Sequence, residues 1–430
     1  MKRWIVGLLL VAGAWLACPG PVVRGQSSDA PLFDDGTLHR VDLWVNSRDW
    51  AFLRANFQLN DYYPATLKWR DQTVRNVGIR SRGTGSRSPF KPGLRVDFSR
   101  FTTGQRFLGL KALVLDNLTQ DASFLHELVA MKLFRRLEIQ APREALAAVY
   151  VNNTYAGVYA VVEEPDDTAM ARMFGDGSGY LHEYKWLYEY RFEDLGDDLE
   201  RYRALFEPRT RELETSFALF EPIAAMVRTF NQAPDEEFEE KASEYLDLSR
   251  FLAYAGAQAY LAEWDGLLGY AGLNNFYLYR RAGSHRFDIV PWDEDNAFGP
   301  LDYPLDSYHE GNVLMRRLME REPWRDVYFS AVLAAAASAE EGREADPEAP
   351  GVLAGGWMER EILRLQALVR ERGLADRFKP FTNEEFEQAS AAMLTFARER
   401  GGITKADVGR MRAGRPSASA LPALRAGRRK

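Results

Sequence analysis

The chain holds a single cysteine in 430 residues, Cys18, and only five histidines. One cysteine cannot close an intramolecular disulfide, so stability has to come from core packing. Once the N-terminus is cleaved beyond that position, cysteine-nucleophile and zinc–thiolate chemistry are excluded as well. His39, His126, His182, His285 and His309 show no metal-ligand spacing, which leaves a histidine-based device without support. Positive charge is not in excess: 55 Lys plus Arg face 62 Asp plus Glu, a net charge of −7. A general nucleic-acid binder is ordinarily basic, so that class is set aside. Beyond the N-terminus no apolar run is long enough to span a bilayer. Present instead are 46% apolar residues, ample for a packed core, and 27% charged residues, which argue against disorder. The length suits one large or two modest domains.

The first 25 residues have the order of a secretory signal: Lys2 and Arg3, an apolar core from Trp4 to Ala17, then Val23-Arg24-Gly25 before Gln26. Export to the periplasm, cell surface or exterior is therefore expected. Leu16-Ala17-Cys18 faintly matches a lipoprotein box, but Trp15 breaks it, so simple export is preferred to lipid anchoring.

After a leader loop, 26–37, residues 38–164 are strand-rich. His39–Val45, Pro64–Trp69, Thr73–Arg82, Leu94–Phe98, Leu113–Leu115, Ala145–Val151 and Tyr155–Val162 carry strand patterning. Asn46 or Ser47 caps a short helix, and Asp121-Ala122-Ser123 opens another that runs to about Arg136 with Glu127 near its start. The loop after Gly78 is rich in Gly, Ser and Arg (Arg82-Gly83-Thr84-Gly85-Ser86-Arg87), with Lys91 before the next strand. Small residues let backbone N–H groups approach a phosphate and the cations supply charge, although most such turns are only turns. From Pro165 the chain turns helical, and 165–400 forms the second part. Residues 334–351 are expected to be a loose connection, and 401–430 a basic low-complexity tail.

The most informative stretch is 263–298. Asn275–Arg280 and Arg286–Val290 alternate like strands, and Arg281–His285 between them contains Gly, which predicts a hairpin. In an antiparallel hairpin the start of one strand lies beside the end of the other, so Asn275 falls next to Asp293 at the open end. A helix capped by Asp247 ends just before Asp265 and delivers a second carboxylate there. Two carboxylates and an amide oxygen make a hard, all-oxygen set that suits Mg²⁺ or Mn²⁺. The plain alternative is a buried hairpin with acidic loop ends.

The succession of helix, Asp, Asn, hairpin and Asp is that of the catalytic and metal loops of protein kinases, without their HRD and DFG motifs. GIRSRGTGSR, FKPGLRVDF, VNNTYAGVYAVVEE, LNNFYLYR and IVPWDEDNAFG follow one another in an order that resembles the CotH family of atypical kinases, over roughly residues 38–330. The resemblance implies an α+β, protein-kinase-like two-lobed fold: a strand-rich N-lobe at 38–164, a mainly helical C-lobe at 165–400, and ATP-dependent phosphorylation of Ser or Thr on a protein partner with Mg²⁺ or Mn²⁺. By position it makes Asp265 the catalytic carboxylate, and Asn275, Asp293 and Asp295 the metal ligands, with Asn274 an alternative to Asn275. Arg82, Lys91 and Arg95 become phosphate-contacting cations, Glu127 the partner of one of them, and Glu163 the residue presenting backbone to the adenine edge. Pro92 and Asp97 stand where the family has basic residues, which leaves open which cation meets the phosphates. Two other outcomes stay compatible with these residues: a non-catalytic surface-binding protein on the same fold, and a different ATP-driven protein modification.

Overall fold

The computed structural model describes residues 29–342 and 355–414. The expected signal sequence, Cys18 and the tail beyond 414 lie outside them.

The first part contains β1 (His39–Val45), α1 (Ser47–Ala55), β2 (Tyr63–Trp69), β3 (Gln72–Ser81), β4 (Leu94–Asp97), β5 (Ala112–Asp116), α2 (His126–Arg136), β6 (Glu144–Val151) and β7 (Thr154–Val162). Its seven strands close into a barrel in the order β1-β2-β3-β4-β5-β7-β6. The closing pair is β1 and β6, parallel, from His39 opposite Ala147 to Leu43 opposite Val151. Closure leaves no strand edge open to stray pairing. Alternate residues point inward, so Leu43, Leu67, Val77, Ile79, Val96, Leu115, Val149 and Val161 fill the barrel as one buried cluster. Truncating a fully buried member such as Leu115 to Ala costs about 2–5 kcal/mol. The β6–β7 hairpin turns on Asn152 and Asn153, at φ 51° and 64°. Asn tolerates that left-handed pair better than other side chains, and such a turn matches the strand twist.

The second part runs α3 (Asp167–Phe174), β8 (Tyr180–Tyr184), α4 (Leu199–Leu205), β9 (Phe206–Pro208), α5 (Ser216–Gln232), α6 (Phe238–Tyr245), α7 (Leu248–Leu261), β10 (Phe276–Arg280), β11 (Phe287–Pro291), α8 (Val313–Met319), α9 (Glu322–Glu340), α10 (Trp357–Ala375) and α11 (Asn383–Arg412). A small sheet, ordered β11-β10-β8-β9, sits among the helices. The α+β class, strand-rich first and helical afterwards, is the one expected. Helix α7 is apolar nearly all round, as a core helix must be. Its Gly256 meets α9 so closely that a Cβ would stand 3.0 Å from Ala331 and from Val332. The four orphan carbonyls at a helix C-terminus need partners. Arg400 of α11, fully buried, donates to the carbonyls of Ala259 (2.8 Å), Tyr260 (3.0 Å), Leu301 (2.6 Å) and Tyr303 (3.0 Å). This contact fixes the exit of α7 toward Asp265.

Several boundaries differ from the sequence reading: α2 begins at His126 rather than at 121–123, and α7 ends at Leu261 rather than just before Asp265. The leader loop contains a 3-10 turn, Ala30–Phe33, with Leu32 and Phe33 buried. Helix α9 continues to Glu340, and α11 continues through Gly401-Gly402 to Arg412. The glycines look like a helix stop, but Gly401 is a packing site: a Cβ there would stand 2.1 Å from the Glu340 carboxylate of α9. Thr404, Asp407 and Val408 beyond it are buried, which is why the helix does not fray at 401.

Candidate active site

The hairpin forms as read, with both strands starting one residue later: Phe276 pairs with Pro291 and Arg280 with Phe287. At the open end Trp292 N–H donates to the Asn275 carbonyl at 3.2 Å. Asn275 and Asp293 both have left-handed backbones, φ 58° and 56°, which Asn and Asp tolerate better than most residues. The Asn275 amide nitrogen donates to the carbonyls of Asp265 (3.2 Å) and Asp293 (3.1 Å), so one side chain spans the two loops. Asn274 donates to the Asp265 carboxylate at 3.2 Å.

These residues open onto one cleft of about 530 Å³. Asp265, Asn274, Asn275, Asp293 and Asp295 line it together with Arg82, the Gly83–Arg87 loop and Arg95. That volume lies in the ordinary range for a small-molecule site. A larger recess of about 1250 Å³ adjoins it, sharing Asn60, Arg80, Arg95, Glu164 and Arg209 and reaching the linker residues Asp166 and Asp167. The Gly-rich loop is pinned: Arg87 donates to the carbonyls of Gly83 (2.7 Å), Phe57 (3.0 Å) and Leu59 (3.0 Å). Asn117 donates to the carbonyls of Ser86 and Lys91, both at 2.8 Å.

Three residues assigned to the nucleotide stand elsewhere. Lys91 is fully buried and pairs with Asp376 at 2.8 Å, with its ammonium 4.8 Å from the Phe124 ring centre and 5.2 Å from that of Tyr159. An ammonium so enclosed does not reach the cleft, whose lining cations among the described residues are Arg80, Arg82, Arg87, Arg95, Lys185 and Arg209. Glu127 pairs with no Lys or Arg among the described residues; it accepts the Asp293 N–H at 3.1 Å and so braces that loop from behind. Glu163 is bound by Arg143 (2.8 Å) and Arg172 (2.6 Å), and its N–H is taken by the Arg143 carbonyl at 2.9 Å. It anchors the linker, and the linker residues facing the recess are Glu164, Asp166 and Asp167.

Sequence reasoning missed Asp116, which ends β5 and pairs with Arg82 at 3.0 Å. An acid closing an otherwise apolar strand, Leu113-Val114-Leu115-Asp116, was the available signal. Glu164, which holds Arg95 at 2.7 Å, carried none beyond adjacency to Glu163.

Around Asp293 itself, Asp116, Asp265 and Glu183 face Arg82. Burial, then Asp116, push Asp293 up to about 6, with Arg82 pulling the other way. Asp295 rises well above the carboxylate range through burial and then Asp293. Burial also raises Asp265, against the Asn274 hydrogen bond. Behind them burial, then Glu144, raise Glu127. Among the described residues no three His, Cys, Asp or Glu side chains form a ready-made metal cluster. The donor set still fits Mg²⁺ or Mn²⁺, because Mg²⁺ ordinarily takes one or two protein carboxylates and completes its shell with phosphate and water. A cation would also offset the burial and the neighbouring charge that raise Asp293 and Asp295.

A family model described as CotH kinase protein matches residues 79–402. The chain belongs to the CotH kinase family. Among curated proteins, this CotH-family chain is 22% identical over 391 residues to the inner spore coat protein H of Bacillus subtilis (strain 168), covering 86% of this chain and 98% of that protein. Among solved structures, the Helicobacter pylori proinflammatory kinase CtkA matches over 78% of this chain and 94% of its own, at 11% identity and a TM-score of 0.29. A superposition that loose carries no geometric argument, so the assignment rests on the CotH family match. Among the described residues no helix is long and apolar enough to cross a membrane.

Proposed function

We propose that this CotH-family chain is an exported atypical kinase that transfers the γ-phosphate of ATP to a Ser or Thr hydroxyl of a protein partner, with Mg²⁺ or Mn²⁺. The carrying observation is the meeting of Asp265, Asn275 and Asp293 in one cleft that Arg82 and Arg95 also line. Family membership supports the nucleotide and the protein substrate. The export component rests on the N-terminal residues alone.

In this reading the nucleoside occupies the recess beside Glu164 and Asp166, and the phosphates lie across Arg95 and Arg82 toward Asp293. The acceptor oxygen bonds to the γ-phosphorus, the bond from that phosphorus to the β,γ-bridging oxygen breaks, ADP leaves, and the hydroxyl proton passes to Asp265. The raised affinity of Asp265 for a proton makes it a better acceptor than an ordinary aspartate. Asp293 and Asp295 would hold the cation. The amide oxygen of Asn275 remains for it, since the nitrogen is engaged by two carbonyls. The bound ion would neutralise charge on the phosphate oxygens. Arg82 and Arg95 do the same, each held by a carboxylate, Asp116 and Glu164. The protein's contribution is placement and electrostatics.

The test is incubation of the purified protein with ATP, divalent metal and a Ser/Thr-containing protein, followed by mass spectrometry of the products. A phosphate adduct on Ser or Thr that disappears in D293A supports the proposal. A nucleotidyl adduct would move the site to a different ATP-driven modification. Neither adduct, with no stabilisation by ATP and metal, would leave a non-catalytic binding protein.

A further inference from the structure

Beneath the cleft, away from any substrate, α7 carries a buried glutamine whose two amide atoms face opposite loops. Gln258 is 4% exposed. Its oxygen accepts the Leu267 N–H at 3.0 Å, in the loop that follows Asp265. Its nitrogen donates to Glu294 at 2.7 Å, next to Asp293, and to the Tyr254 hydroxyl at 2.9 Å. That hydroxyl donates to the same Glu294 oxygen at 2.7 Å. The fit is close: a Cβ on Gly266 would stand 2.3 Å from the Gln258 nitrogen. Alongside, Glu263 accepts the Asp265 N–H at 2.7 Å.

We infer that Gln258, through Glu294, is a positioning residue that sets the separation of the Asp265 and Asp293 loops from below, as Asn275 does from above. The inference deepens the kinase reading and rests on it for its catalytic consequence. The chemistry favours an amide at this position. One end must accept from a backbone N–H and the other must donate to a carboxyl oxygen, across a fixed planar length. A carboxylate would crowd Glu294, and an apolar side chain would leave the Leu267 N–H and Glu294 without these partners. Phosphoryl transfer needs the acceptor held by Asp265 and the phosphate end held at Asp293 in register. A misplacement of about 1 Å costs a reaction about 100-fold.

The experiment compares wild type with Q258M, E294M and E294Q in the full chain, by amide hydrogen exchange and by steady-state kinetics. Q258M should raise exchange together in the 265–272 and 292–298 segments. It should lower kcat by about 10–100-fold with the KM for ATP held within about threefold. E294M should do the same, and E294Q, which keeps an acceptor for Gln258, should recover most of the loss. Unchanged exchange, loosening of one loop only, a KM rise that matches the kcat loss, or E294Q as damaging as E294M would each overturn the inference. If Q258M does not fold, Q258N is judged by the same criteria, because it is one methylene too short to reach both loops. If wild type transfers no phosphate, the kinase reading fails by itself, and the exchange data still decide whether Gln258 couples the two loops.

Discussion

Replacing Asp293 by Asn should stabilise the metal-free protein while removing its response to divalent metal. Asp293 is pushed up to about 6 from the ordinary 3.8, chiefly by burial and then by Asp116. That rise is about 3 kcal/mol of preference for the protonated form, at about 1.4 kcal/mol per pH unit. The side chain still touches solvent in the cleft, so the figure is a ceiling. The sign follows from linkage. A carboxyl that binds its proton more tightly when folded favours the fold fully below its unfolded pKa, and that advantage is lost as pH rises to its folded value. Above pH 6 the wild type therefore holds a charge the fold disfavours, and Asn does not. Asn is isosteric and suits the left-handed backbone at 293. The D293N gain should be about 0.5 kcal/mol near pH 4, grow through the window from 3.8 to 6, and level off at no more than about 3 kcal/mol. In melting temperature the plateau is on the order of 5 °C. The assay is thermal unfolding of both proteins at pH 4, 5, 6 and 7.5 without metal, then at pH 7.5 with Mg²⁺ or Mn²⁺ and ATP. A ligand at 100 times its Kd adds about 2.7 kcal/mol to the wild type, and D293N should gain far less. A D293N protein less stable than wild type at pH 7.5 without metal, or a difference that ignores pH, would refute the account of crowded charge.

Lys91→Met should cost about 3–5 kcal/mol in denaturant unfolding, because it leaves Asp376 buried without its cation, while the KM for ATP of the folded fraction stays put; a raised KM at unchanged stability would return Lys91 to the phosphates. Asp265→Ala should lower kcat by about 100-fold or more and leave nucleotide affinity, measured by calorimetry, nearly intact; equal losses in both would remove its role as proton acceptor. Glu127→Gln, which still offers an oxygen to the Asp293 N–H, should keep metal-dependent ATP binding, whereas Glu127→Ala should weaken it by about 1–3 kcal/mol; a Gln variant as poor as Ala would mean that the charge of Glu127 matters.

What the sequence made legible is what local chemistry decides. Asn46, Asp247 and Thr382 cap their helices as their side chains predict, and period-two alternation located the barrel strands. The hairpin carried the strongest inference, because antiparallel pairing alone brings position 275 to position 293. What stayed hidden depends on contacts distant in the chain. Nothing near Lys91 announces Asp376, 285 positions later, and a lysine before a strand beside a Gly-rich loop has the same local pattern whether it faces phosphate or core. Glu163 and Arg172 likewise meet only once α3 has folded back. The continuation of α11 past position 401, where a tail was expected, was hidden because its reason, the approach of Gly401 to Glu340, is tertiary.

The two kinds of contact at the cleft divide the work. Its carboxylates are crowded, and crowding alone would drive the Asp265 and Asp293 loops apart when no cation is bound. Ion pairs are a poor remedy, since a Lys or Arg placed between the loops would satisfy the acids and compete with the metal. Neutral amides hold the loops without that competition: Asn275 bonds backbone carbonyls, and Gln258 bonds one N–H and one carboxyl below the cleft. Among the described residues the guanidinium drawn close to Asp293, that of Arg82, is itself taken by Asp116, so it only partly offsets the negative charge and does not close the site. An arrangement of this kind keeps its geometry when empty and leaves its electrostatic debt for the incoming cation and nucleotide to settle, so the free energy withheld from folding at Asp293 becomes free energy available to binding.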